Sequence, residues 1–172
     1  MIGLIRQATE NDAKEIAKII VSGWQTAYRG IITNEFLDNM SVEKMTKNWE
    51  QNIKTQDENN KICVYEDENN VLAVIRFGKA DNLQSKNGEI HVLYVKPEIK
   101  RNGIGTKLVE YAKEKLIKQG YKKMEIWCAK ENEPSIKFYV KMGGKLRNNR
   151  IAKINGIKIE EVELIYNLED KS

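Results

Sequence analysis

The spacing of apolar positions changes several times along the chain, and each change marks an element. Thr9 followed by Asp12 has the form of a capping box, and Ala13, Ile16, Ala17, Ile20, Trp24 and Tyr28 then recur at helical offsets. That stripe predicts an amphipathic helix ending before Gly30, preceded by a brief strand over residues 4–6. Phe36 and Leu37 suggest a short helical turn, and Val42, Met45, Trp49 and Ile53 mark a further helix. The period then drops to that of strands. Residues 62–66 and 71–78 are rich in β-branched and apolar side chains, and Asp67, Glu68, Asn69 and Asn70 between them predict a hairpin turn.

A polar loop over residues 81–88 leads into residues 90–95, which are apolar on both alternating sets except at His91. This pattern predicts a central strand, stopped by Lys96 and Pro97. Ile104, Leu108, Val109, Ala112 and Leu116 define a long helix closed by Gly120. Met124, Ile126 and Cys128 alternate as a strand, and Pro134 opens a helix bearing Ile136, Tyr139 and Met142 that stops at Gly143 and Gly144. Asn155 and Gly156 form a tight turn between two extended segments, the second presenting Val162, Leu164, Tyr166 and Leu168 on one side. The reading is one α/β domain over residues 1–172 with a mixed sheet.

Composition narrows the classes. With 41% hydrophobic and 31% charged residues in 172, the chain can close a core and is not disordered. No apolar run is long enough to span a membrane and no signal peptide is legible, so a cytoplasmic location with no membrane partner is expected. Cys63, Cys128 and the single histidine, His91, offer neither a disulfide framework nor a zinc ligand set, so no metal is expected. The net charge of +4 is unevenly placed: residues 96–123 carry nine basic and three acidic side chains, net +6, leaving −2 for the remainder. Such a cluster attracts nucleic acid, an acidic surface or a phosphorylated small molecule alike.

The segment Lys100, Arg101, Asn102, Gly103, Ile104, Gly105, Thr106 joins strand to helix. Unpaired N–H groups at a helix start, approached closely over glycine, make an anion trap, with Lys100, Arg101 and Lys107 adding charge. A dinucleotide fold would want a small residue where Leu108 stands, and would place the loop after its first strand. A nucleotide triphosphatase loop would want Lys then Ser or Thr after its second glycine, whereas Thr106 precedes Lys107. The nucleic-acid alternative lacks aromatic residues interleaved with the basic ones, so no nucleic-acid partner is expected.

Leu93, Tyr94, Val95, Pro97, Lys100, Gly103, Ile104 and Gly105, followed downstream by Asn132, Ser135, Ile136, Phe138, Tyr139, Met142 and Gly143, resemble the two signature segments of the GNAT superfamily of N-acetyltransferases. The order of elements agrees over nearly the whole chain. Departures are Lys100 for Arg or Gln, Ser135 for Ala, and Gly144 for Phe. The resemblance implies a mixed, mostly antiparallel sheet flanked by helices, with two splayed parallel strands forming an acetyl-CoA groove. It also implies direct acetyl transfer to a primary amine through a tetrahedral intermediate. Backbone groups of Leu93 and Val95 would pair with the pantetheine arm, with Tyr94 between them also counted among the cofactor-binding residues. Lys100, Arg101, Asn102, Gly103, Ile104, Gly105 and Thr106 would hold the pyrophosphate, and Asn132 would hydrogen-bond the cofactor. Tyr139 would protonate the departing thiolate.

For the base, Glu89 and His91 are the candidates beside a water chain; both are odd-numbered on one strand, which predicts a shared face continued by Leu93 and Val95. Cys128, on a neighbouring strand, reads as buried rather than as an acetyl carrier. Trp24 and Tyr28 are substrate-binding candidates that also fit the packing stripe. A small amine or a peptide amine is open as acceptor. A cofactor sensor without turnover is the rival reading, and dimers are common among proteins resembling this one.

Overall fold

A computed structural model describes residues 3–169. Strand β1 (Leu4–Gln7) precedes helices α1 (Ala13–Ala27), α2 (Asn34–Asp38) and α3 (Val42–Lys54). Then follow β2 (Asn60–Asp67), β3 (Asn70–Lys79), β4 (Gly88–Val95), α4 (Ile104–Lys118), β5 (Lys123–Ala129), α5 (Glu133–Lys141), β6 (Lys145–Ile154) and β7 (Ile157–Asn167). One seven-stranded sheet has the order β1-β2-β3-β4-β5-β7-β6, antiparallel throughout except for the β4–β5 pair. This is the mixed, mostly antiparallel sheet that the resemblance implies.

Local chemistry sets the entry to α1. The Thr9 N–H donates to Asp12 Oδ2 at 2.7 Å, completing the capping box read from the sequence. Arg6 on β1 donates to both Asp12 oxygens at 2.8 and 3.0 Å and also reaches Glu66 on β2. One guanidinium thus ties the edge strand β1, the helix start and the neighbouring strand β2 together. At the β2–β3 turn Glu68 and Asn69 both take positive φ, as do Asn155 and Gly156 at the β6–β7 turn. These are the backbone angles that two-residue hairpin turns demand.

The sheet is packed on both faces. Leu108, Val109, Ala112 and Leu116 of α4 cover one face against Ile75, Phe77, Ile90, Met124, Ile126 and Leu164. On the other, Ile16, Ile19 and Ile20 of α1 and Trp49 and Ile53 of α3 meet Ile62, Val64 and Val74. A smaller cluster joins Tyr28, Ile32 and Leu37 to Ala129 and Ile159.

Two features position everything described below. The β3–β4 register slips so that Ile90 opposes Phe77 while Val92 opposes Arg76, leaving His91 as the extra residue of a bulge. The bulge reverses the alternation. Glu89 and His91 do share a face, touching at 3.0 Å, but Leu93 and Val95 do not continue it. They pack with Ile90 on the α4 side, while Val92 and Tyr94 turn to the α1 side. The strict period of two used for the sequence holds only where no residue is inserted. The second feature is that β4 and β5 pair only at Gly88, Glu89 and Ile90 with Met124, Glu125 and Ile126, after which they part.

Tyr94 reaches α1 at Gly23, where a Cβ would lie 2.4 Å from the Tyr94 ring. A helix interior without a side chain loses about 0.5–1 kcal/mol relative to Ala, and here that loss admits an aromatic ring against the helix backbone. Gly23→Ala should therefore destabilise by about 1–3 kcal/mol in urea unfolding, the range for overpacking. Combined with Tyr94→Leu it should cost little more than Tyr94→Leu alone.

Candidate active site

The parting of β4 from β5 opens a cleft of about 1050 Å³ that passes through the sheet. Its α4 side is lined by Leu93, Ile104, Cys128, Phe138 and Tyr139, and its α1 side by Trp24, Tyr28, Trp49, Tyr94 and Glu161. The Lys96 N–H donates to Leu72 O at 2.9 Å, so by strand alternation the N–H and C=O groups of Leu93 and Val95 point into the gap. They form an unpaired strand edge that an extended, amide-bearing chain can join.

Beyond that edge lies the loop before α4. Arg101 takes φ 71° and Gly103 φ 78°, and Asn102 Nδ2 donates to Ile99 O at 3.0 Å, fixing the turn. The first helical bond is Lys107 N–H to Gly103 O at 3.0 Å, and no side chain caps the helix. Among the described residues, the N–H groups of Arg101, Asn102, Gly103, Ile104, Gly105 and Thr106 have no internal acceptor. Lys100 and Arg101 stand beside them, and Lys141 of α5, which the sequence pattern did not single out, also lines the cleft. Lys107 turns away, its ammonium 5.8 Å from the Tyr65 ring centroid. This donor set fits a diphosphate: outward amides at a helix N-terminus with mobile cations alongside. The two motifs meet here, since a Cβ at Gly105 would lie 3.3 Å from Phe138 of α5.

Asn132 caps α5, its Oδ1 accepting from Ser135 N–H at 3.3 Å, which leaves its amide hydrogens to the cleft it lines. Tyr139 is held by its backbone: its carbonyl accepts from Tyr166 OH at 2.7 Å and from Gly144 N–H at 3.0 Å. Its own hydroxyl has no hydrogen-bond partner among the described residues, and the side chain lines the cleft. Burial, then the neighbouring Cys128, Tyr166 and Tyr28, push this phenol well above its ordinary range, so it stays protonated. Burial and Glu161 push the Cys128 thiol up to about 12, so it is not a thiolate near neutrality.

On the α1 side the Trp24 and Tyr28 rings lie 4.7 Å apart, packing against each other while lining the cleft. Burial, Cys128 and Glu161 raise Tyr28 to about 12. Met40, Met45, Trp49 and Trp127 complete an apolar wall that the sequence offered no means of assembling. His91 lines the cleft, with Nε2 donating to Lys79 O at 2.9 Å and Nδ1 beside Glu89 at 3.0 Å and Asp81 at 3.4 Å. Both ring nitrogens face acceptors, an arrangement that suits the imidazolium. Burial would lower its pKa, but the hydrogen bond to Glu89 and the charges of Glu89 and Asp81 prevail, and it is raised above 6.5. Glu89 lies behind His91, its second oxygen accepting from Asp81 N–H at 3.3 Å.

The fold and the donor-lined cleft fit an acyltransferase. The family model described as Acetyltransferase (GNAT) family matches residues 24–144, and the chain belongs to this family. It is an acyltransferase, and its family carries out acyl-CoA-dependent N-acetyl transfer. The Bacillus subtilis uncharacterized N-acetyltransferase YuaI is 27% identical, over 93% of this chain and 90% of that protein. A spermidine N(1)-acetyltransferase of Thermoplasma acidophilum is 24% identical, over 84% of this chain and 89% of the relative. The fold is shared with PaiA N-acetyltransferase from Thermoplasma acidophilum in complex with coenzyme A, at TM-score 0.77 and 19% identity, covering 97% of this chain and 99% of that one. It is shared also with yncA from Salmonella typhimurium, solved with its cofactor acetyl-CoA, at TM-score 0.71 and 18% identity, covering 100% and 97%. Among the described residues no helix is long and apolar enough to cross a membrane.

Gly103→Val forces a β-branched residue into φ 78° and sets its methyl groups where the free amides point. It should weaken acetyl-CoA binding by about tenfold or more in calorimetry, since each lost helix-terminus interaction is worth about 0.3–2 kcal/mol. His91 gives a pH test. Its folded pKa is raised, so its contribution to stability is complete below the unfolded value and is lost as pH rises through the folded one. Wild type should exceed His91→Gln in stability by more at pH ~6 than at pH ~9 in urea unfolding.

Proposed function

We propose that the protein, acting as one domain, moves the acetyl group of acetyl-CoA directly to the primary amine of a small molecule. The observation that carries this is the cleft itself, which joins a loop of outward amides and basic side chains and an open strand edge on one face to an aromatic chamber on the other. When bound, acetyl-CoA supplies an activated acetyl thioester. Leu93 and Val95 hold its pantetheine arm by their backbone, the amides of residues 101–106 with Lys100 and Arg101 hold its pyrophosphate, and Asn132 donates to it.

Tyr139 acts as the general acid: as the C–S bond breaks its hydroxyl proton passes to the departing sulfur, and the proton the nitrogen sheds on becoming an amide restores the phenol. A buried phenol is a reluctant donor, but the same dry surroundings make a developing thiolate a stronger base, so the proton moves late and without solvent. The raised Cys128 thiol favours direct transfer over an acetyl-enzyme. Trp24 and Tyr28 flank the acceptor. Its ammonium proton must leave before attack; Glu89 and His91 relay it once His91 is neutral, so the rate rises as pH climbs through the raised His91 value. Placing the two reactants in register contributes about 7–11 kcal/mol, and a general acid a factor of about 10²–10⁴.

Tyr139→Phe should therefore lower kcat by about 10²–10⁴ with acetyl-CoA affinity nearly unchanged. Thiol release from acetyl-CoA against a panel of small amines, alongside calorimetry, reads both quantities. An unaltered kcat would remove Tyr139 from the mechanism, and cofactor binding without thiol release on any amine would make the protein a sensor.

A further inference from the structure

The charges lining the cleft are segregated. Lys100 and Arg101 stand at the loop end, with Lys141 of α5 the remaining lysine of the lining, whereas Glu161 of β7 is the only carboxylate lining it among the described residues. Glu161 pairs with Ala129 of β5 and so lies on the α1 face of the sheet, in the aromatic chamber rather than beside the loop. Its residue is 9% exposed. Oε1 accepts from Arg150 Nε at 2.8 Å, and among the described residues Oε2 receives no hydrogen bond. Arg150 does not line the cleft: it sits outside on β6, its guanidinium 4.1 Å above the Trp127 ring. The carboxylate therefore has one oxygen held from behind and one available in front.

A buried carboxylate with an unfilled acceptor site calls for a charged donor. The reacting amine must be neutral when it attacks, so it cannot be the group that stays paired with Glu161. We infer that Glu161 is a specificity-determining residue that binds a second, permanently charged ammonium of the acceptor, selecting a diamine or longer oligoamine over a monoamine. The aromatic wall of Trp24, Tyr28 and Trp127 encloses the methylene stem between the two nitrogens, and aromatic faces add attraction for the cation. Arg150 tunes the site as a competing cation for the same carboxylate. This rests on the acetyl-transfer reading above and adds to it the charge that the acceptor must carry at its far end.

The test compares putrescine with butylamine as acceptors in the thiol-release assay. Glu161→Gln should raise KM for putrescine by about tenfold or more, leaving kcat, the KM for butylamine and calorimetric acetyl-CoA affinity nearly unchanged. Arg150→Met, at an exposed position, should lower KM for putrescine by about threefold by removing the competitor. Opposite movements are the signature, because a purely structural ion pair would make both variants fail in the same direction. Equal KM shifts for the two amines, or a rise in KM for both variants, would overturn the assignment while leaving acetyl transfer standing. Thiol release with other amines of the panel but not with putrescine would overturn this assignment and leave acetyl transfer standing, whereas release with no amine at all would sink both.

Discussion

The constraint on which the site depends is a single extra residue in β4. Inserting His91 into the ladder bends the strand, and after Ile90 it no longer meets β5. A sheet that stayed paired would bury the backbone of Leu93 and Val95 in its own hydrogen bonds. It would also separate the α1 face from the α4 face completely. The parted strands instead leave donors and acceptors facing a gap, which native structures tolerate only where something else completes the pairing. The rest of the fold makes this opening affordable: β4 stays paired with β3 on both sides of the bulge, and β5 keeps its partnership with β7.

The elements were legible because their signals are local. The capping box at Thr9 and Asp12, the helical stripe through Ile16 and Ile20, and the two hairpin turns each depend on a few neighbouring residues. The loop at Gly103 and the helix bearing Tyr139 were legible as motifs, and the structure sets both on one cleft. What escaped the sequence is what depends on register or on distant partners. The faces of Leu93 and Val95 were misassigned because a bulge breaks the alternation from which a face is read. Lys107 looked like part of the anion trap, yet its position in the helix directs it to Tyr65.

Glu161 and Trp127 belong to strands whose alternation says only that one side is polar. Their arrival beside Tyr28 is set by the β5–β7 register, which nothing in the local sequence encodes. His91 shows a related gap. A histidine on a strand offers no hint that both its nitrogens will face acceptors, and those acceptors are what raise its pKa. Buried polar groups derive their chemistry from partners, so their roles become readable only when partners are known.

The cleft's passage through the sheet carries a consequence for recognition. Because its walls come from both faces, the basic loop and the aromatic chamber are the two ends of one continuous cleft. A ligand long enough to thread the opening, anionic at one end and cationic at the other, would meet the basic loop and Glu161 at once. The second engagement would then be intramolecular, so that modest grips on either side combine into a far tighter one without any new contact.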